Sequence, residues 1–140
     1  MGAGQQQGGG GDFLDGAEPP GGQAGLQIIT IRDELFADYR KRSDFIKRYV
    51  FPGGMLPSEA RLRDEVRTAG LKQGDLLRFG QHYADTLKQW GDRFDAAWDD
   101  LRNPQFDQRF HRLWRFYLSY CEAGFRTGRT DVIQLQLTRA

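Results

Sequence analysis

Apolar residues return along this chain in two rhythms, one of alternation and one of every three or four positions, and the switches between them mark its elements. Residues 26–31 (LQIITI) are mostly apolar and β-branched, which predicts a buried strand. Asp33 is placed to cap a helix over about 34–40, with Leu35, Phe36 and Tyr39 on one face, and a second short helix over about 44–50 carries Phe45, Ile46 and Tyr49. Pro52 then denies helical geometry to Phe51, while Gly53 and Gly54 permit positive φ. Ser58 opens a helix whose apolar positions Leu62, Val66 and Ala69 keep helical spacing until Gly70. A weaker strand over 71–79 is interrupted at Gly74-Asp75. After Gly80 an amphipathic helix repeats Tyr83, Leu87, Trp90, Phe94, Trp98 and Leu101, and Asn103-Pro104 ends it. The next helix gathers Phe106, Phe110, Leu113, Trp114, Tyr117, Cys121 and Phe125 on one arc and closes at Gly128. Residues 131–139 (DVIQLQLTR) alternate apolar with polar, as a strand with one wetter face does.

The order is strand, helices, weak strand, two long helices, strand: an α/β pattern, helix-rich, with two or three strands. So few strands make a poor independent sheet, and the helices are expected to cover a larger one. Residues 1–25 differ in kind. They hold 10 of the 18 glycines, the run Gln5-Gln6-Gln7 and Pro19-Pro20, and cannot bury enough apolar surface to offset their ordering entropy. Disorder is expected there, with the folded part running over 26–140. Gly8 to Gly11 invite comparison with a phosphate-binding loop, but that motif needs a strand before it and a helix after it, and neither pattern is present.

Composition narrows the function classes modestly. At 140 residues the chain allows one domain, and 39% hydrophobic with 28% charged residues is ordinary for a globular one. A net charge of +1 gives no reason to expect nucleic acid. One cysteine excludes an internal disulfide and a cysteine metal cluster, and no metal site is expected. No apolar run approaches the ~18 residues that span a bilayer, and no apolar core follows a basic start. A cytoplasmic protein is expected, touching lipid only peripherally, at the inner membrane face.

Four strings carry more. IKRYVFPGGMLPS (46–58), RFGQHYADTL (78–87), WGDRFDAAW (90–98) and WRFYLSYCEAGFR (114–126) together resemble, in order and spacing, the cyclopropane-fatty-acyl-phospholipid synthase family. The resemblance runs from about Gly21 to the C-terminus and covers the last third or so of a typical member, with nothing matched upstream. It implies the C-terminal part of a Rossmann-like class I methyltransferase domain, with the last strand antiparallel. It also implies a reaction, in which S-adenosylmethionine supplies a methylene across the double bond of an unsaturated phospholipid acyl chain. A truncated or mis-started reading frame would give this pattern. The isolated chain is therefore expected neither to bind S-adenosylmethionine nor to turn over, and it contains no cofactor-binding residue.

The resemblance also implies site residues. Tyr83, in the FG-x-x-Y string, corresponds to a tyrosine that helps hold a bicarbonate ion, the base for ring closure; a phenol donates a hydrogen bond to an anion without bringing charge. Tyr83 is equally well placed as the first core residue of its helix. Gln27 stands about where some members carry a histidine ligand of that ion, and its amide can still donate. The glutamate and the cysteine that complete the family's anion site have no counterpart here. Phe51, Met55, Phe79, Trp114 and Tyr117 are the candidate acyl-chain lining, within a wider aromatic set (Trp90, Trp98, Phe116, Tyr120) whose helical spacing also suits plain core. Cys121 reads as core, and His82 and His111 as solvated surface. Lys41, Arg42, Lys47, Arg48, Arg109, Arg112, Arg115, Arg126 and Arg129 are candidates to meet anionic headgroups or simply to solvate helix faces. The expected partners are phospholipid acyl chains at a membrane surface. A reading from another class is a non-catalytic helical module that binds a membrane or a partner protein.

Overall fold

The computed structural model describes residues 20–140, and the Gly8–Gly11 stretch lies outside them. Its elements are β1 (Gln23–Ile31), α1 (Asp33–Lys41), a π-helical turn (Ile46–Val50), α2 (Glu59–Thr68), β2 (Leu71–Arg78), α3 (Gly80–Leu101), α4 (Gln108–Arg126) and β3 (Thr130–Arg139). The alternation that ends the sequence builds the centre of the sheet. Strand order is β1-β3-β2, with β3 antiparallel to both neighbours, so β1 and β2 run parallel to each other.

Period-two geometry sends Ile133, Leu135 and Leu137 to one face and Val132, Gln134 and Gln136 to the other. On the first face Leu135 and Leu137 pack with Val66 and Leu62 of α2 and with Leu71, Leu76, Ala24 and Leu26. On the second, Val132 lies under the α3–α4 hairpin, against Ala84, Leu87, Leu118 and Phe125. Helices thus cover both faces of the sheet. Beyond Val132 the second face carries exposed Gln134 and Gln136, cross-bonded to Gln27 and Gln23 of β1.

Several elements depart from their sequence patterns. β1 starts at Gln23, so residues 20–25 belong to the fold, and the expected boundary at 25/26 falls inside the strand. Nor is β1 buried throughout: it alternates, with Ala24 and Leu26 inward and Gln23, Gly25 and Gln27 exposed. β2 is a true strand, and Gly74-Asp75 is a bulge within it: pairing steps from Gln73↔Leu137 to Leu76↔Leu135. The second short helix is a π-turn, closed by a hydrogen bond from Phe51 N to Ile46 O of 2.7 Å, with Asp44 Oδ1 accepting from Lys47 N. Phe106 precedes α4 because Asp107 is the cap: its Oδ1 accepts from Phe110 N, and Asn103 Oδ1 accepts from both Gln105 N and Phe106 N.

The hairpin seam differs most. The buried α3 positions are Gly80, Ala84, Leu87 and Gly91, while Trp90 and Leu101 are exposed. Small residues let α4 approach, and Arg115 lies across Gly91 so closely that a Cβ there would collide with Nη1. The guanidinium continues to Asp95, Nε to Oδ2 at 3.2 Å.

Candidate functional site

The conspicuous 51–57 loop is fixed from three sides. Gly54 N donates to Phe51 O at 3.0 Å, and Gly53 has φ +78°, the type II turn that Pro followed by Gly favours. Leu56 N donates to the Tyr39 hydroxyl at 3.0 Å. Ile31 N donates to Pro57 O at 2.9 Å, tying the loop to the carboxyl end of β1, and buried Ser58 caps α2 by accepting from Arg61 N. Tyr39 is itself held: Lys47 Nζ lies 3.6 Å from its ring centre and donates to Tyr39 O at 2.6 Å and Arg42 O at 2.9 Å. Burial pushes the Tyr39 phenol above its ordinary pKa, although the Leu56 N–H pulls the other way.

Beside this loop, at the same end of the sheet, α3 begins. Gly80 N donates to Asp131 Oδ1 at 2.8 Å and Phe79 N to Val132 O, which sets the helix start against β3. Tyr83, one turn in, packs its ring against Phe125 (5.3 Å between centres) and Trp90 (6.2 Å). Phe79, Tyr83, Trp114, Tyr117, Cys121 and Ile29 all lie against one buried cluster. The Trp114 and Tyr117 rings are 4.9 Å apart, and Phe51 reaches this group from the loop, 6.4 Å from Tyr117. Among the described residues the Tyr83 hydroxyl makes no side-chain hydrogen bond. Burial first, and then the charge of its neighbour Cys121, pushes Tyr117 up to about 12; burial pushes the Cys121 thiol up to about 11, so it stays protonated.

The structure therefore brings together Tyr83, Phe79, Trp114, Tyr117 and, at the edge, Phe51. Met55 is exposed on the loop and lies outside the cluster. Gln27 is exposed two residues before Ile29 on the same face of β1; its Oε1 accepts from Gln134 Nε2 at 2.9 Å, which leaves its own amide hydrogens free to donate. His111, expected as solvated surface, is half-buried: its Nε2 is 3.1 Å from Asp95 Oδ1, and its ring lies against Phe94 and Trp98. That pair spans the two helices of the hairpin, a proximity no local spacing signals. Tyr39 and Lys47 were also missed as site-forming residues, since in the sequence they read as a core position and a solvated base.

A sheet whose last strand runs antiparallel between two parallel ones, helix-covered on both faces, with an aromatic cluster near the carboxyl ends of β1 and β2, is the closing part of a class I methyltransferase domain. The comparisons carry this to a family. Residues 12–135 match the model of the mycolic acid cyclopropane synthetase family, to which the chain belongs; the likeness thus begins upstream of Gly21, where none was expected. The tuberculostearic acid methyltransferase UfaA1 of Mycobacterium tuberculosis is 40% identical over 121 residues, 86% of this chain and 28% of the relative. The cyclopropane-fatty-acyl-phospholipid synthase of Escherichia coli K12 is 32% identical over 95 residues, 68% of this chain and 24% of the relative. Among solved structures, cyclopropane synthase MmaA2 of Mycobacterium tuberculosis superposes with TM-score 0.79 at 23% identity, over 92% of this chain and 49% of that one. Mycolic acid cyclopropane synthase CmaA1, complexed with SAH and CTAB, superposes with TM-score 0.72 at 26% identity, over 86% and 45%. The chain thus spans about a quarter of the length of these curated relatives.

Proposed function

We propose that this chain forms the acyl-side wall of a cyclopropane synthase-type, S-adenosylmethionine-dependent methyltransferase acting on unsaturated phospholipid acyl chains, and that by itself it is inactive. The observation that carries the reading is the convergence of Phe79, Tyr83, Trp114 and Tyr117 on one half-buried cluster at the carboxyl end of the sheet, in a chain of this family. S-adenosylmethionine, held by the remainder of such a domain, supplies an electrophilic methyl group. The share of these residues is placement and dryness. Aromatic walls hold an alkene in reach and keep water from the carbocation that methyl addition leaves on the neighbouring carbon. Loss of a proton from the added methyl then closes the ring.

The proton acceptor proposed is bicarbonate. The donors here fit such an anion in kind: Tyr83 offers a hydroxyl with no competing partner among the described residues, and Gln27 offers amide hydrogens left free by its bond to Gln134. Both are neutral, so they orient the anion without quenching its basicity. The 40% identical relative is named a tuberculostearic acid methyltransferase and the 32% identical one a cyclopropane-fatty-acyl-phospholipid synthase. Methyl addition is common to both activities, and the ring-forming one is the reading that Tyr83 favours. Among the described residues no helix is long and apolar enough to cross a membrane, so lipid would be met from one side.

The test is replacement. This chain is joined to the upstream portion of the Mycobacterium tuberculosis relative, and acyl products are read by gas chromatography with mass detection. Methylated or cyclopropanated product is expected, falling roughly a hundredfold with Tyr83→Phe, the order lost when one donor to a charged reaction centre is removed. The chain alone should show no micromolar S-adenosylmethionine binding by calorimetry. Such binding, or a Tyr83→Phe chimera of undiminished rate, would refute the assignment.

A further inference from the structure

Two segments far apart in sequence meet on one surface, and neither contains an acidic residue: 45–57, the π-turn with its loop, and 108–121, most of α4. Their junction is aromatic. Phe45 lies 4.5 Å from Phe116 and 5.4 Å from Tyr49, Phe116 stacks at 6.1 Å on Tyr120, and Phe51 faces Tyr117. Much of it faces solvent: Tyr49 is 58% exposed, Phe51 49%, Met55 59% and Phe116 53%. The cations around it divide into two groups. Lys47 is turned back onto α1, Arg115 is bound to Asp95, and Arg126 is bound to Asp85 and Glu122. Arg48, beside Tyr49, and Arg109 and Arg112, which precede Phe116 on the exposed stripe of α4, make no ion pair among the described residues.

We propose that this face docks on an anionic phospholipid surface, with Phe51, Met55 and Phe116 entering the headgroup–acyl boundary and Arg48, Arg109 and Arg112 meeting the phosphates. The charge pattern selects this occupant. Exposed aromatic and thioether side chains edged by the free cations Arg48, Arg109 and Arg112, with the acid at their junction, Asp44, taken up by Lys47 N and the Tyr120 hydroxyl, suit an interface that is apolar within and negative at its rim. A second copy of the chain would instead oppose cation to cation across a two-fold axis. The turn at Gly53 presents Phe51 and Met55 at the loop tip, and the Tyr39 and Pro57 bonds keep that tip from folding back. The inference deepens the function proposed above by naming the surface from which acyl chains would be taken. Phe51 belongs both to this face and to the edge of the aromatic cluster, so the docked membrane would adjoin that cluster.

The experiment is flotation of the purified chain with vesicles of phosphatidylcholine alone and mixed with phosphatidylglycerol. Binding should require the anionic lipid and weaken with salt. Arg48→Gln with Arg112→Gln should lower the affinity roughly 25-fold, about fivefold for each cation. Met55→Ser with Phe116→Ser should release the chain from mixed vesicles, while Leu77→Ser, equally exposed on the sheet, should change nothing. All these positions are at the surface, and circular dichroism verifies the fold. Equal binding to neutral vesicles, no flotation of the parent chain, or loss by Leu77→Ser to the same degree overturns the proposal. So does a Met55→Ser/Phe116→Ser variant that turns an oligomer into a monomer without altering flotation, which assigns the face to a second copy. Flotation requires no turnover, and the chimera assay run on detergent-dispersed lipid requires no docking, so either reading can fail alone.

Discussion

Replacing Tyr39 by Phe removes one oxygen and leaves nearly everything else in place. The ring is buried, and a phenyl group keeps its packing and its position under Lys47 Nζ. What goes is the acceptor for Leu56 N, 3.0 Å away and partly buried. A backbone N–H stranded without a partner costs about 1–2 kcal/mol, and because the lost bond closes a loop, most of that cost should fall on the loop. At about 1.4 kcal/mol per factor of ten, the loop would open roughly 5- to 30-fold more often. Amide hydrogen exchange reads this directly. Leu56 should exchange faster by that factor, and Gly54, bonded within the same turn to Phe51, should follow it in part. Ile133 and Leu135, at the centre of the sheet, should keep their protection under conditions where they exchange only by global unfolding, apart from any small fall in overall stability. An unchanged Leu56 rate would mean that the tyrosine does not hold the loop. A uniform acceleration at Leu56 and Ile133 would mean that the loop is not a separate unit at all.

Two further expectations concern the helical hairpin. Gly91→Ala alone should be near neutral, because a helix-interior gain of about 0.8–1 kcal/mol is offset by pushing Arg115 off Asp95. Combined with Arg115→Gln, the same substitution should show its stabilisation in urea melts, and strict additivity would refute the steric account. Stability should also fall at alkaline pH. The folded state holds the Cys121 proton up to about 11 and the Tyr117 proton up to about 12, against ordinary values of 9.0 and 10.0, so their contribution is intact below about 9 and is lost as the pH rises through those folded values. Cys121→Ala should delay the onset of this decline toward pH 10, and urea midpoints measured against pH decide it.

How much of this was legible in sequence depends on how local the cause is. The alternation of 131–139 is set by the strand's own side chains, and it predicted both the faces and the wet side of β3. Gly74-Asp75 flagged the irregularity of β2 without saying that pairing survives it. The α3 seam was hidden because hydrophobic periodicity weights large residues, whereas the hairpin is closed by small ones. Ala84 and Gly91 are buried while Trp90 and Leu101 are not, since closeness to α4, not hydrophobicity, sets which stripe is covered. The π-turn depends on Asp44 meeting Lys47 N, a geometry that a helical pattern cannot distinguish from an ordinary turn. Within the candidate site, Phe79, Tyr83, Trp114 and Tyr117 were readable because they stand in strings typical of a family. The clamp of Leu56 by Tyr39, across 17 residues, stands in no pattern and had to be seen.

The two edges of the sheet argue for what the helices were built to cover. β2 is a poor template for another strand: Gly74-Asp75 breaks its register, and Lys72 and Arg78 place charge near both ends. β1 has none of these defences. It pairs with β3 without interruption over Gln23–Ile31, contains no charged residue and no proline, and apart from a single bridge from Ile31 to Ser58 at its carboxyl end has no partner on its outer edge among the described residues. An uncharged, regular nine-residue edge is a hazard in a free-standing protein and an asset inside a wider sheet. The sheet therefore has a finished side at β2 and an unfinished one at β1. The aromatic cluster lies near the carboxyl ends of these strands, where open α/β sheets place their ligands. A cofactor carried by strands beyond β1 would reach that cluster from the unfinished side, opposite the bulged edge. On the function proposed above, the same asymmetry would leave acyl-side residues to this chain and the methyl donor's site to strands beyond β1.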